Sequence, residues 1–131
     1  MVVASLDHAR RGVEAGFIMA NHGKLAPLRR MQEGDRVLVY SPRTAFPMGE
    51  SFQAVAIVGV VTGAEPEPSD VIEGGYRRRA DLREVPPIPL AEMRGHLPTT
   101  KLRSGCFELS PPDADAIWSL VPKDHRRLLP E

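Results

Sequence analysis

Phe52 to Thr62, FQAVAIVGVVT, is apolar almost without interruption and so offers no wet face in an extended conformation. Such a strand needs cover on both sides, which predicts a central position in a sheet with elements packed above and below it. Gly59 in its middle predicts a bulge or a bend of the kind that lets a small sheet curl. The run is far too short to span a bilayer, and no membrane segment is expected.

Other extended segments can be placed beside it. Val2-Val3-Ala4 reads as a short first strand, and Arg36 to Tyr40 is a β-rich run that Ser41-Pro42 should end. In Tyr76 to Val85, charged and apolar residues alternate enough to give one wet face, and Pro86-Pro87 should break that strand. Ser104 to Leu109 is the last strand candidate. Asp7 can cap a helix over His8 to Ala15 that ends at Gly16, while Phe17 to Ala20 is too short to classify. Leu28 and Met31 can anchor one helical turn starting near Pro27, and Leu90 to Leu97 can form another short helix. The final helix has the best local signals. Ser110 caps it, Pro111 fills its first position, Asp113 completes a capping box, and Ala114, Ile117, Trp118 and Val121 share one face.

These elements predict an α+β (α/β) fold, a curved mixed sheet or partial barrel flanked by short helices. Its 131 residues fit one domain, taken as residues 1–121, with a polar, loose tail over 122–131. The N-terminus has no room for a signal peptide, so a cytoplasmic protein is expected. The absence of an apolar surface stripe favours a monomer.

Composition narrows function by exclusion. The 17 basic residues balance 17 acidic ones, which disfavours salt-driven wrapping of duplex phosphates. Charge is nevertheless separated locally: Arg29-Arg30, Arg77-Arg78-Arg79 and Lys101 to Arg103 are basic, whereas Glu65, Glu67, Asp70 and Glu73 make an acidic loop. The single cysteine, Cys106, excludes an internal disulfide and a cysteine-based zinc site. A nucleophile pairing Cys106 with His22 or His96 is disfavoured by the apolar setting of the cysteine. A metal site from Asp7, His8, His22 and Asp35 lacks ligand spacing, and neither a dinucleotide fingerprint nor a P-loop occurs. No cofactor or metal is expected.

The aromatic residues are more informative. Tyr40 and Phe52 end strands beside polar loop residues, where a ring can stack on a base while Asn21, Ser41 and backbone groups read its edge. Core packing is the alternative for both rings, and Trp118 is read as structural. On an alternating strand, only one or two of Arg77, Arg78 and Arg79 can share a face.

Several ordered blocks resemble the EVE domain family, a PUA-like branch related to the YTH readers of modified RNA. They are Ala4-Ser5-Leu6-Asp7-His8, Gly12 to Phe17, His22-Gly23-Lys24, Ala26 to Met31, Gly34-Asp35 and Tyr40-Ser41-Pro42-Arg43. Phe52-Gln53-Ala54, Tyr76 to Arg79 and Phe107-Glu108-Leu109 follow in type and order. Family members usually carry a Trp just ahead of the first strand, a position this sequence does not contain. The resemblance implies a PUA-like curved barrel and a cleft for a nucleobase, a modified one in DNA or RNA, in a binding module rather than an enzyme. By position, Ser5, His22, Gly23, Lys24, Tyr40 and Ser41 would border that pocket, while Arg43 and Arg77, Arg78 and Arg79 would face the nucleic-acid backbone. Base stacking contributes about 1–3 kcal/mol per base, so a neutral domain can bind this way. The competing expectations are a small nucleotide-processing or hydrolytic enzyme using His22 with Asp35 or Lys24, and a small-molecule or protein-interaction domain using the same cleft.

Overall fold

A computed structural model describes residues 1–20, 23–46, 48–70, 72–98, 102 and 105–126. Asn21, His22, most of the Lys101 to Arg103 cluster and residues 127–131 lie outside the described residues. In chain order the elements are β1 (Val2–Val3), α1 (Leu6–Ala15), β2 (Phe17–Ile18), α2 (Leu25–Arg30), β3 (Arg36–Arg43) and β4 (Ser51–Val61). They continue with β5 (Glu67–Pro68), β6 (Tyr76–Pro89), α3 (Leu90–Met93), β7 (Gly105–Cys106), α4 (Pro111–Trp118) and α5 (Lys123–Arg126).

The strands form one mixed sheet in the order β2-β6-β4-β3-β1-β7, with β5 added to β6. It curls into a half-barrel with short helices around it, as a PUA-like fold requires. The apolar run is β4, at the sheet's centre, and Ala54 through Val61 are buried without exception. Two cores explain this. Val37, Val39 and Ile57 pack towards α1 and α2 with Leu6, Ala9 and Leu28, whereas Leu38, Val55 and Val58 pack towards α3 and α4 with Met93 and Ile117. The two-residue period of the strand sends alternate residues to opposite cores.

The bend is placed differently from expectation. Gly59 pairs in register with Val37 and Leu82, so it is not the bulge. Its role is close approach: a β-carbon there would lie 2.2 Å from the Asp81 carbonyl oxygen. The bulge is at Ala56, which has no partner in either ladder between Val55 and Ile57. Ala56 and Ile57 consequently point into the same core.

That bulge also explains why Pro86-Pro87 does not end β6. Val55 pairs with Ile88 and Ile57 with Glu84, so Val85, Pro86 and Pro87 lie opposite Ala56 alone. The prolines' missing N–H groups fall where the ladder asks for none. Pro42 is tolerated in β3 for the same reason, since the register shifts between Ser41 and Arg43. The opposing Gln53 takes a left-handed conformation, φ 48°.

Local signals decide the helix ends. Ser5, rather than Asp7, caps α1 by accepting from the His8 amide (3.4 Å), and Gly16 closes it at φ 79°. Helix α2 starts two residues before Pro27, which is harmless because amides of the first turn have no helical acceptor. Helix α3 is only one turn long, β5 forms within the acidic loop, and the start of the tail, expected to be loose, coils as α5. The Ser110 hydroxyl accepts from the Asp113 amide (3.4 Å) and donates to the Asp113 carboxylate (2.9 Å) as α4 begins.

Arg78 is the main departure from a solvated β6. It is 2% exposed and donates to the carbonyls of Leu28 (2.7 Å), Met31, Gly63 (3.0 and 3.1 Å) and Ala64 (3.1 Å). A charge so buried is tolerated because its fork of donors is filled by acceptors, two of them at the C-terminal end of α2. Truncating it leaves those carbonyls without their donor. Arg78→Met is expected to lower stability by about 3–5 kcal/mol, with Arg78→Lys recovering only part, measured as a lower urea midpoint at unchanged m-value.

His96 Nδ1 lies 3.0 Å from Asp113, and the bonds from His96 and then Ser110 hold the Asp113 carboxyl below its ordinary value. A depressed carboxylate pKa adds stability above the unfolded value, which is lost as pH falls through the folded one. The stability difference between wild type and Asp113→Asn should therefore shrink below about pH 4, as measured by urea unfolding across an acid series.

Candidate functional site

The sequence of β1 and β3 brings two chain segments to one edge of the half-barrel. These strands run parallel, Val3 beside Tyr40, so the Ala4-Ser5 exit of one lies next to the Pro42-Arg43 exit of the other. Helix α1 begins at once after Ser5, and its Asp7 amide donates to the Thr44 carbonyl (2.9 Å), tying the helix to the β3–β4 connection. Between them opens a groove of about 350 Å³ whose walls include Ala4, Ser5, Arg11, Met19, Pro42 and Arg43. Ala4, His8, Arg11 and Met19 are shared with a smaller recess of about 120 Å³ that reaches Phe17 and Arg77, so the groove continues along α1.

Its chemistry is mixed. Ala4, Ala20 and Ala45 line it together with Arg11 and Arg43, and Ser5 and Asp7 are polar residues of the same lining. Arg43 also donates to the Gly49 carbonyl (3.0 Å), which fixes the base of the β3–β4 connection. At the far end the Arg77 guanidinium lies over the Phe17 ring, 3.7 Å from its centroid, and Arg79 lies 5.2 Å from the same ring. Both are engaged by the acidic loop. Arg77 bonds Asp70 (2.7 Å) and Glu67 (3.2 and 3.3 Å), and Arg79 bonds Glu67 (3.4 Å).

Of the residues singled out in the sequence, Ser5, Arg43 and Arg77 come together along this groove. Others do not. Tyr40 is 2% exposed and packs in the α3–α4 core, where burial pushes its hydroxyl pKa up, so its ring offers no stacking face. The alternation that points Val39 one way points Tyr40 the other. Ser41 is buried, Phe52 is partly buried against the α1 core, and Arg78 is turned inward, and none of these three is in the groove's lining. Gly23 is buried behind Met19, and Lys24 is exposed at the N-cap of α2. Asn21 and His22 fall outside the described residues.

Sequence reasoning passed over Arg11, Met19 and Phe17. Arg11 had a signal: it stands three residues from His8 and four from Asp7, one face of α1. Phe17 had none, because its meeting with Arg77 requires the β2–β6 pairing.

A larger cleft of about 720 Å³ lies at the opposite end of β3, between Val37, Trp118 and Phe107. It is bordered by Asp35 and Glu108 as well as Arg30, and its Arg36 is paired with Asp115. Cys106 also lines it, with its thiol pKa pushed up by burial, which weakens it as a nucleophile. His96 faces Asp113 rather than Cys106. Asp7 and His8 stand at the groove while Asp35 stands at this cleft, and no metal-holding group of three or more His, Cys, Asp or Glu occurs among the described residues. Nor is any described helix long and apolar enough to cross a membrane.

The EVE domain profile matches residues 2–120. A UPF0310 protein of Renibacterium salmoninarum is 36% identical over 110 residues, covering 83% of this chain and 79% of that one. Another from Mycolicibacterium vanbaalenii is 35% identical over 127 residues, with 89% and 88% covered. A third, from Streptococcus sanguinis, is 36% identical over 115 residues, with 82% of each chain covered. With nearly the whole curled sheet and its helices inside the matched span, the chain belongs to the EVE domain family.

Proposed function

We propose that this chain is a non-enzymatic nucleic-acid-binding module that captures one base, a modified one, in the groove between α1 and the end of β3. The observation that carries this reading is the groove itself: about 350 Å³, lined by small apolar residues together with Arg11 and Arg43. That volume sits at the lower end of small-ligand sites, suited to one planar heterocycle rather than an extended substrate. The small side chains of Ala4 and Ala20 leave room for a ring, Met19 supplies a polarizable surface, and Arg11 and Arg43 can donate to ring carbonyls or to the adjoining phosphate. Balanced overall charge fits a protein whose affinity comes from one captured base rather than many phosphates.

The supporting measurement is titration of the full chain with oligonucleotides and free nucleosides carrying unmodified and modified bases, at low salt. Arg11→Ala, on the exposed face of α1, should weaken binding about tenfold with the fold unchanged. Absence of binding to every probe by the wild type would remove this reading, and turnover of any nucleoside would return the hydrolase.

The acidic loop supplies a second test. Glu67 and Asp70 hold Arg77 at the far end of the groove and compete with phosphate for it. Glu67→Gln with Asp70→Asn should tighten binding and steepen the dependence of log affinity on log salt by up to about one, read from anisotropy titrations at several salt concentrations.

A further inference from the structure

The recess that continues the groove along α1 differs from it in chemistry. The two adjoin at Ala4, His8, Arg11 and Met19, which line both. Ser5, Asp7 and Arg43 belong to the groove alone. Val2, Ala9, Ile18, Val39 and Leu82 belong to the recess alone, and each is at most 6% exposed. Beyond the shared residues the polar lining of the recess is Ser69 and Arg77, and Arg77 is held by Asp70 (2.7 Å) and Glu67 (3.2 Å). Hydrogen-bonding groups thus collect at one end of the combined site and core hydrocarbon at the other.

A space of about 120 Å³ against core side chains calls for an occupant, because packed interiors keep few voids larger than a water molecule. Water is a poor one. It needs several polar partners to settle, and the five core side chains offer none. The recess stays open because α1 turns small residues towards it, Ala9, Gly12 and Ala15.

We infer that the recess receives an apolar substituent carried by the captured base, an alkyl group of about two to four carbons, given about 30 Å³ for a water-sized group. This rests on base capture as proposed above and names the chemical class of the modification. The base presents its polar edge to Ser5, Asp7 and Arg43 and its substituent to the core side of α1. An unmodified base leaves the recess without apolar contact, a methyl group fills it in part, and a chain longer than the recess is refused.

The test uses calorimetric titration of the full chain with short single-stranded oligonucleotides. Each contains one N6-alkyladenosine or one 5-alkyluridine bearing hydrogen, methyl, ethyl, propyl, butyl or hexyl. In the better-bound series affinity should rise about three- to fourfold per carbon up to about four carbons and fall at hexyl. Ala9→Val and Ala15→Leu alter recess residues that do not line the groove, and Ala15 is at the exposed end of α1, where a leucine leaves the core intact. Both should abolish the gain beyond methyl while changing the affinity for the unsubstituted base less than about twofold. Affinity that is flat or falling from methyl onward in both series would overturn the alkyl recess and leave base capture standing. A gain that persists in both variants, or that continues undiminished through hexyl, would overturn it as well. Failure of every oligonucleotide to bind wild type would remove base capture itself, and the recess with it.

Discussion

The Arg78 guanidinium holds together parts of the fold that share no ladder. It is the one charged side chain buried among the described residues, and its acceptors belong to the end of α2 and to the turn after β4. Without a cation there, the Leu28 and Met31 carbonyls at the end of α2 would lose the donor that links them to β6. With it, α2 is clamped to the sheet, and the Gly23-Lys24 turn ahead of α2 is held against Gly75 and Tyr76. Met19 is fixed against that turn, and Met19 is a wall of the groove. A buried charge far from any ligand thus sets the shape of the candidate site.

The neighbouring arginines show how one strand divides its work. Alternation along β6 turns Arg77 and Arg79 to the face where Phe17 lies, and Arg78 to the other. The acidic loop then screens the outward pair, so the basic triplet is no simple cationic patch. A cation over a ring and beside carboxylates is held in place yet can exchange one partner for a phosphate.

Much of the architecture was legible because its causes are local. The cap at Ser110, the proline at the first position of α4 and the buried Ile117 all act within a few residues of one another, although the helix ends at Trp118 and Val121 is buried beyond it. The centrality of β4 was equally plain from its two apolar faces. The survival of β6 through Pro86-Pro87 was not, because it depends on Ala56, roughly thirty residues earlier, lying opposite them. Within the candidate site, Ser5 and Arg43 could be found from their blocks of sequence, but Tyr40 could not be placed. Whether a strand residue faces a cleft or a core depends on what covers each face, and α3 and α4 come late in the chain. Arg78 was obscured in the same way, since its helix acceptors are 47 and 50 residues distant.

The place of β1 has a consequence for how the protein is made. Its two residues lie between β3 and β7, and the Met1 amine donates to the Phe107 carbonyl across a separation of 106 residues (2.8 Å). The groove stands directly after that strand. During synthesis at about 5–20 residues per second, the first strand waits roughly 5–20 s for its last partner to emerge. Until then β3, β4 and β6 can pair in succession while the start of the chain is secured on one side only. The candidate groove follows that strand and has Gly105 of β7 in its wall, so the wall is complete only once β7 has emerged and paired.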